Sequence, residues 1–288
     1  MVEIYAAALI NGLLIGGVYA LVALGLTLIY GVLHIVNFAH GSLLMVGMFA
    51  AWLMAEKLGV HPYAALPVVA LGMFALGWLL YRLVIGRVSR GEDRAILLAT
   101  LGVAVVLDNL FLTLFGGDTR QIESDLTFAV IELGPLLLSV PKVIAFAVSL
   151  LLAGALWGFM ALTDTGRAIR AVAKEPEGAR LMGIRPERIF ALAYGIGIGC
   201  LGAAACLLLP SFFVSPHVGS VFVLVAFTIV VLGGMGSFPG AVVGGLLIGV
   251  TESMGGLWLG ESLGPIGISL VFIAVLLFRP TGLFGAAR

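Results

Sequence analysis

Apolar residues run along this chain in long unbroken blocks, not in alternation or along one narrow helical stripe. The blocks cover roughly 4–30, 35–55, 62–84, 95–115, 141–162, 189–209, 219–237, 240–258 and a shorter 264–278. A bilayer core takes about 20 apolar residues per helix, and helices apolar on all sides belong in lipid or a deep core. The pattern predicts an all-α, polytopic membrane protein of about eight to ten transmembrane helices, with broken helices where polar residues interrupt a block. Only Phe238-Pro239 parts the seventh block from the eighth, so the span count depends on how that region crosses.

Composition sharpens this reading. Of 288 residues, 61% are hydrophobic and 10% charged, whereas a soluble domain carries about 25% charged residues. The chain reads as one membrane domain, 1–288, with a cytoplasmic loop at 163–188. Its 40 glycines suit close helix contacts in lipid, where small residues let backbones approach. The opening Met-Val-Glu lacks the positive flank of a cleaved signal peptide. Cys200 and Cys206 lie in one apolar run without a C-x-x-C spacing and read as buried small residues.

Net charge is zero, so its distribution carries the information. Arg82, Arg87, Arg90 and Arg94 cluster in one connection. Arg167, Arg170, Lys174, Arg180, Arg185 and Arg188 cluster in another, and Arg279 and Arg288 close the chain. The positive-inside rule makes these cytoplasmic. The segment 116–140, with Asp118, Glu123, Asp125 and Glu132 against Arg120, is then external. If every block crosses, the N-terminus is outside and the C-terminus inside. No basic stripe points to nucleic acid.

Four features carry candidate chemistry. Between Tyr30 and Ser42, two histidines, an asparagine and two glycines break an apolar stretch. Polar groups at membrane depth are costly and face a bundle interior or a cavity, and Gly31 and Gly41 permit a broken helix. Asn37, His40 and Ser42 are therefore candidates for lining a translocation path; a plain turn between spans is the alternative. His34 and His40 have no carboxylate or cysteine nearby, so no metal site is expected. Asp108-Asn109 in the fourth block and Glu252 in the eighth place carboxylates in spans, where each is either hydrated near an end or functional.

The third feature is the cytoplasmic stretch Asp164–Ile184. Pro176 suits a first helical position, Glu177 the positive helix end, and Gly183 a left-handed cap after Met182. One short helix over about 176–182 is expected, with Ala179 and Met182 on a common face and Leu181 and Ile184 at its edge. Apolar residues on a charged cytoplasmic helix make a docking knob; a loop anchored at headgroups is the alternative. Fourth, the glycines of Val231–Gly245 permit a tight break and close packing. Gly12/Gly16, Gly195/Gly199, Gly240/Gly244 and Gly245/Gly249 repeat a small-xxx-small spacing. Phe38–Leu44 faintly echoes Phe238–Val243, which is compatible with internal duplication.

There is no G-x-x-x-x-G-K-[ST], H-E-x-x-H or G-x-S-x-G, so neither a nucleotide-binding loop nor a hydrolytic set is visible. The chain is not read as an enzyme and is expected to bind no cofactor. A scaffold would leave the polar break and the shaped cytoplasmic helix without purpose. A channel would conduct without nucleotide.

The motifs together resemble the permease subunits of bacterial high-affinity branched-chain amino acid ABC transporters. The resemblance rests on Asn11-Gly12-Leu13 with Gly25–Gly31, on Asn37-Phe38-Ala39-His40-Gly41, on Gly166–Val172 through Gly183-Ile184, on Val231–Ser237 and on Arg279–Gly285. It covers nearly the whole chain and fits the subunit that starts directly with its first span. It implies an ABC-importer fold in the bacterial inner (cytoplasmic) membrane. It also implies a homologous second permease, two cytoplasmic ATPases that bind ATP and Mg, and a periplasmic amino-acid-binding protein. Glu175, Pro176, Glu177, Ala179, Arg180, Met182 and Gly183 match the segment through which the ATPases drive alternating access. Members of this family also carry amides, other short-chain amino acids and urea. The runner-up reading is an ion-coupled secondary transporter of a small solute, which would require a carboxylate such as Asp108.

Overall fold

A computed structural model describes residues 2–88, 93–122, 129–133, 136–260, 263–279 and 281–285. Arg90, Glu123, Asp125 and Arg288 lie outside the described residues. The chain is helical, with elements α1 (Val2–Leu33), α2 (His40–Leu58), α3 (Pro62–Leu80), α4 (Gly86–Val88), α5 (Asp93–Phe115), α6 (Val140–Leu162), α7 (Asp164–Lys174), α8 (Pro176–Leu181), α9 (Pro186–Leu208), α10 (Val218–Gly233), α11 (Phe238–Leu259) and α12 (Gly264–Phe278). A π-turn, Tyr81–Ile85, joins α3 to α4, so Pro62–Val88 forms one long apolar element.

Among the described residues, 7 helices are long and apolar enough to cross a membrane, and α10 and α12 are shorter apolar helices. The nine hydrophobic blocks thus all become helices, but not all become full-length spans. With 16 residues, α10 is about 24 Å long, short of the roughly 30 Å hydrocarbon core. Among the described residues of 116–140 one detail differs from the all-α expectation. Val130–Leu133 (β1) and Leu136–Ser139 (β2) pair antiparallel, with Val130 opposite Ser139. Their Val-, Ile- and Leu-rich pattern satisfies the backbone of a segment lying outside the helices.

α1 is the axis of the bundle. Its residues from Leu14 to Val32 are almost all buried, and α11, α9, α6 and α10 pack around it. Small residues make this possible. A Cβ on Gly12 would stand 2.7 Å from Val250 Cα, and one on Gly16 2.9 Å from Leu246 Cα. The α1–α11 contact is thus backbone against backbone, antiparallel from Gly12/Gly249 to Gly31/Gly236. No hydrophobic effect drives helices together in lipid, so such contacts hold them by dispersion at short range. Ser253 Oγ adds a hydrogen bond to Ala8 O at 2.6 Å. On the other side α3 runs antiparallel to α9, where Gly202 admits the Met73 side chain.

The end of the bundle opposite the arginine clusters is latched. Arg120 and Val214 exchange both backbone hydrogen bonds at 2.8 Å. The Arg120 guanidinium lies 4.6 Å over the Trp52 ring, a cation–π contact sheltered by protein. Phe49, Phe111, Phe115 and Trp52 form the aromatic wedge beneath it, with Phe49 and Phe115 stacked at 4.7 Å.

Gly249→Ala tests the axis: its methyl would lie 2.5 Å from Gly16 Cα. Overpacking of this kind costs about 1–3 kcal/mol, so detergent-solubilised protein should lose its monodisperse elution peak at a lower heating temperature. Gly72→Ala, with no atom within 4 Å of the added methyl, should leave the profile unchanged.

Candidate functional site

The polar interruption after Tyr30 is a break in the helical path. α1 ends at Leu33, and His34 takes a left-handed φ of 56°, the one non-glycine positive φ among the described residues. A bulky side chain adopts that region only where its surroundings enforce it. The chain then turns back into the bundle. His40, the first residue of α2, meets Val22 O through Nε2 at 3.0 Å. Val22 lies roughly three turns, about 16 Å, above the end of α1. α2 therefore starts well inside the bundle and not at its end.

Each residue of the break has a structural task. Asn37 is buried, and its Oδ1 accepts from Ala39 N at 3.2 Å while its carbonyl accepts from His40 N at 3.2 Å. An asparagine turning onto backbone two residues ahead is the standard means of starting a helix from a bend. The Tyr194 hydroxyl faces the Asn37 side chain. Phe38 N donates to Thr100 Oγ1 of α5 at 3.3 Å. A carbonyl can only accept, so His40 Nε2 is the donor to Val22 O.

The three sequence-derived pathway candidates therefore lie together, at 0% exposure for Asn37 and His40 and 6% for Ser42. In this conformation they brace the break from inside. Phe38 alone of the segment 37–42 reaches the surface, packed on Phe227 of α10 at 5.8 Å.

α10 meets the break with its own first turn. The carbonyl of Gly219 occupies the place a Cβ on Gly41 would need, and a Cβ on Gly219 would lie 2.6 Å from Gly41 C. Two short-starting helices thus touch through bare backbone near mid-bundle. Gly41 belonged to the sequence pattern; Gly219, Thr100 and Tyr194 did not, because nothing local marks a distant residue as the partner of a break. Asp108 is half-buried on α5 and Asn109 exposed, with Asn109 Nδ2 bonded to Val105 O at 2.8 Å within its own helix. Glu252 is instead drawn against the buried Tyr19 hydroxyl of α1.

The arginine-rich stretch 164–184 holds two helices where the sequence predicts one. α7 was missed although its signals are local. Thr163 caps it, accepting from Gly166 N at 3.0 Å, and Ile169 and Val172, three apart, both face inward. Ile169 joins Leu28 and Val32 of α1 and Met160 of α6 in a second core. α8 follows over Pro176–Leu181, with Glu175 at its N-cap position and Gly183 left-handed at φ 85°. Gly183 N and Ile184 N return to Arg180 O and Ala179 O at 3.0 and 3.1 Å, closing the helix end as the sequence predicts.

One expectation for this helix is corrected. Ala179 and Met182 do not share a face: Ala179 is buried, whereas Leu181 and Met182 are 89% and 83% exposed. Met182 is the cap residue and has left the helical phase, so the three-residue spacing no longer applies. Arg180 ties this knob to α9, reaching Glu187 at 2.7 Å and Glu177 at 3.5 Å. Exposed pairs of this kind add little stability, but they fix orientation. The result is an apolar tip, Leu181-Met182, standing on a polar, anchored mount. No group of three or more metal-ligating side chains occurs among the described residues.

Residues 8–279 match the family model for the branched-chain amino acid transport system permease component. The chain belongs to this family. The permease is 33% identical to the high-affinity branched-chain amino acid transport system permease protein BraD of Pseudomonas aeruginosa, covering 98% of this chain and 96% of BraD. It is 32% identical to the corresponding LivH of Escherichia coli K12, covering 96% and 94%. A probable LivH of the archaeon Methanocaldococcus jannaschii is 29% identical over 92% of this chain. Among solved structures, PsaBC from Streptococcus pneumoniae in complex with Fab shares the fold, with TM-score 0.51 at 15% identity over 96% of this chain and 92% of that one. The permease is a multi-pass membrane protein, and its relatives are transport permeases, not enzymes.

The Phe38–Thr100 bond gives a test of the break. Thr100→Val keeps the shape but removes the acceptor of the part-buried Phe38 N–H, a loss of about 0.5–1.5 kcal/mol. The thermal transition in detergent should fall and amide exchange at 37–40 should speed up, whereas Thr100→Ser should restore both.

Proposed function

We propose that this chain is one translocation subunit of an ATP-driven importer that moves branched-chain or related small hydrophobic amino acids into the cytoplasm by alternating access. The observation that carries this reading is the exposed Leu181-Met182 tip on its anchored helix, at the arginine-rich end of a permease with no nucleotide-binding motif of its own. Two nonpolar side chains held in water by a rigid mount fit a groove on a partner. That partner is an ATPase subunit carrying ATP and Mg, one on this chain and one on a homologous second permease. A periplasmic binding protein delivers the solute, and the assembly sits in the inner membrane.

In this mechanism ATPase closure presses on α8. Glu175, Pro176, Glu177, Ala179, Arg180, Met182 and Gly183 form the coupling segment: Ala179 seats it, Arg180 orients it, Met182 with Leu181 makes the contact, and Gly183 closes its end. Movement passes through α7 to the cytoplasmic half of α1, where Ile169 packs on Leu28 and Val32. It then reaches the break, where Asn37, His40 and Ser42 come to border the pathway as α2 and α10 shift. A ligand-driven shift of this kind requires two discrete packings, and a segment without helical hydrogen bonds is the natural hinge. The names of the relatives support the solute class.

Leu181→Glu combined with Met182→Glu should abolish co-purification of the ATPase and reduce uptake of labelled leucine, presented with the binding protein outside, into right-side-out vesicles loaded with ATP at least tenfold, with the permease still membrane-inserted and thermally intact. Full uptake and unchanged ATPase recovery would overturn the docking assignment. Uptake surviving without ATP but collapsing in Asp108→Asn would favour an ion-coupled carrier instead.

A further inference from the structure

A furrow opens sideways from the bundle at its arginine-rich end. Two cavities, about 520 and about 350 Å³, share Trp157, Phe238 and Pro239 as a common wall. The first is bounded by Leu28 and Val32 of α1, Met160 of α6, and Ile169 and Arg170 of α7. The second is bounded by Leu24, Leu150, Gly154 and Val242. All three long helices step the same way between them: α1 from Val32 back to Leu24, α6 from Met160 back to Leu150, α11 from Pro239 on to Val243. The cavities are thus successive parts of one channel, running about 15 Å along α6 from the cytoplasmic headgroup level toward the membrane centre.

Its chemistry is graded along that length. The deep part is apolar, and nothing stands within 4 Å of a Cβ placed on Gly154. The mouth carries Arg170, together with Ser237 at the positive N-terminal end of α11. Arg170 takes part in none of the ion pairs among the described residues, which are Asp164–Arg167 and Arg180 with Glu177 and Glu187. No acidic residue lines either cavity.

We propose that this furrow binds an anionic phospholipid of the inner leaflet, with an acyl chain along Gly154 and Leu24 and the phosphate at Arg170. The charge gradient selects the occupant. An apolar chain joined to an anion matches a dry channel with one unpaired guanidinium at its headgroup-level mouth. A zwitterionic amino acid would leave its ammonium without an acceptor. A peptide would leave backbone N–H and C=O groups unsatisfied at membrane depth. Bound lipid would touch α7 and α1 together, at the joint between the cytoplasmic helices and the axis. The proposal does not depend on which solute the permease carries.

Trp157 reports on the site directly. The full chain is reconstituted in phosphatidylcholine vesicles, and the lipid is replaced stepwise by phosphatidylglycerol or phosphatidylcholine with brominated chains, which quench nearby indole. The Trp157→Phe variant supplies the background from the other three of the 4 tryptophans. One basic contact near the surface corresponds to about fivefold preference. The Trp157 signal should therefore half-quench at about fivefold lower mole fraction of the phosphatidylglycerol. Arg170→Gln, at an exposed position, should erase that difference, and Gly154→Leu should remove the high-affinity phase. Equal quenching by the two lipids, a preference that survives Arg170→Gln, or no Trp157 response to either lipid would each overturn the proposal.

Discussion

The structure depends on how closely α1 can be approached. In lipid the gain from bringing two helices together comes largely from dispersion, which loses roughly a quarter to a half of its strength over a gap of about 0.5–1 Å. Along α1, Gly12, Gly16 and Gly25 bring α11 and α9 down to backbone contact, and Gly31 meets Gly236 just before α11. That contact buries the axis helix, and burying the axis fixes where every other helix stands. The glycine-rich composition is therefore a packing specification. It also explains how a chain with so few polar groups keeps a defined interior: shape does the discriminating that hydrogen bonds and charges do elsewhere.

The polar residues are then placed where the packing is interrupted. Asn37, Thr100, Tyr194 and the Val22 carbonyl hold a stretch of non-helical backbone at membrane depth. Such a stretch is tolerated only where protein satisfies it. At the arginine-rich end the same logic is turned outward. Thr163, Gly183 and Arg180 terminate and orient short helices, so that Ala179 faces in while Leu181 and Met182 face water. Ile169 of the neighbouring α7 packs on Leu28 and Val32 of α1.

Much of this was legible in the sequence because lipid imposes a single demand on length and polarity. The blocks 62–84, 95–115 and 141–162 became α3 with its extension, α5 and α6 with ends shifted by a few residues, and Gly183 took the left-handed role its position implied. The failures share a cause. The block 35–55 looked continuous, but Ile35 and Val36 belong to the break and not to a span, since apolar residues serve either role when buried. α7 was overlooked because Thr163 capping and the Ile169/Val172 spacing were read as loop between arginines. Met182 was assigned to the Ala179 face by helical spacing, which ends at the cap. The polar residues of the break stand out by composition alone, whereas Gly219 and Thr100, which contact it, carry no signal of that proximity along the chain.

The contact of Gly41 with Gly219 has a mechanical consequence. The starts of α2 and α10 meet backbone to backbone at one point, and a methyl on either glycine would push both helices off it. The position of each helix start is therefore set by the other, and neither glycine can be exchanged without moving both elements.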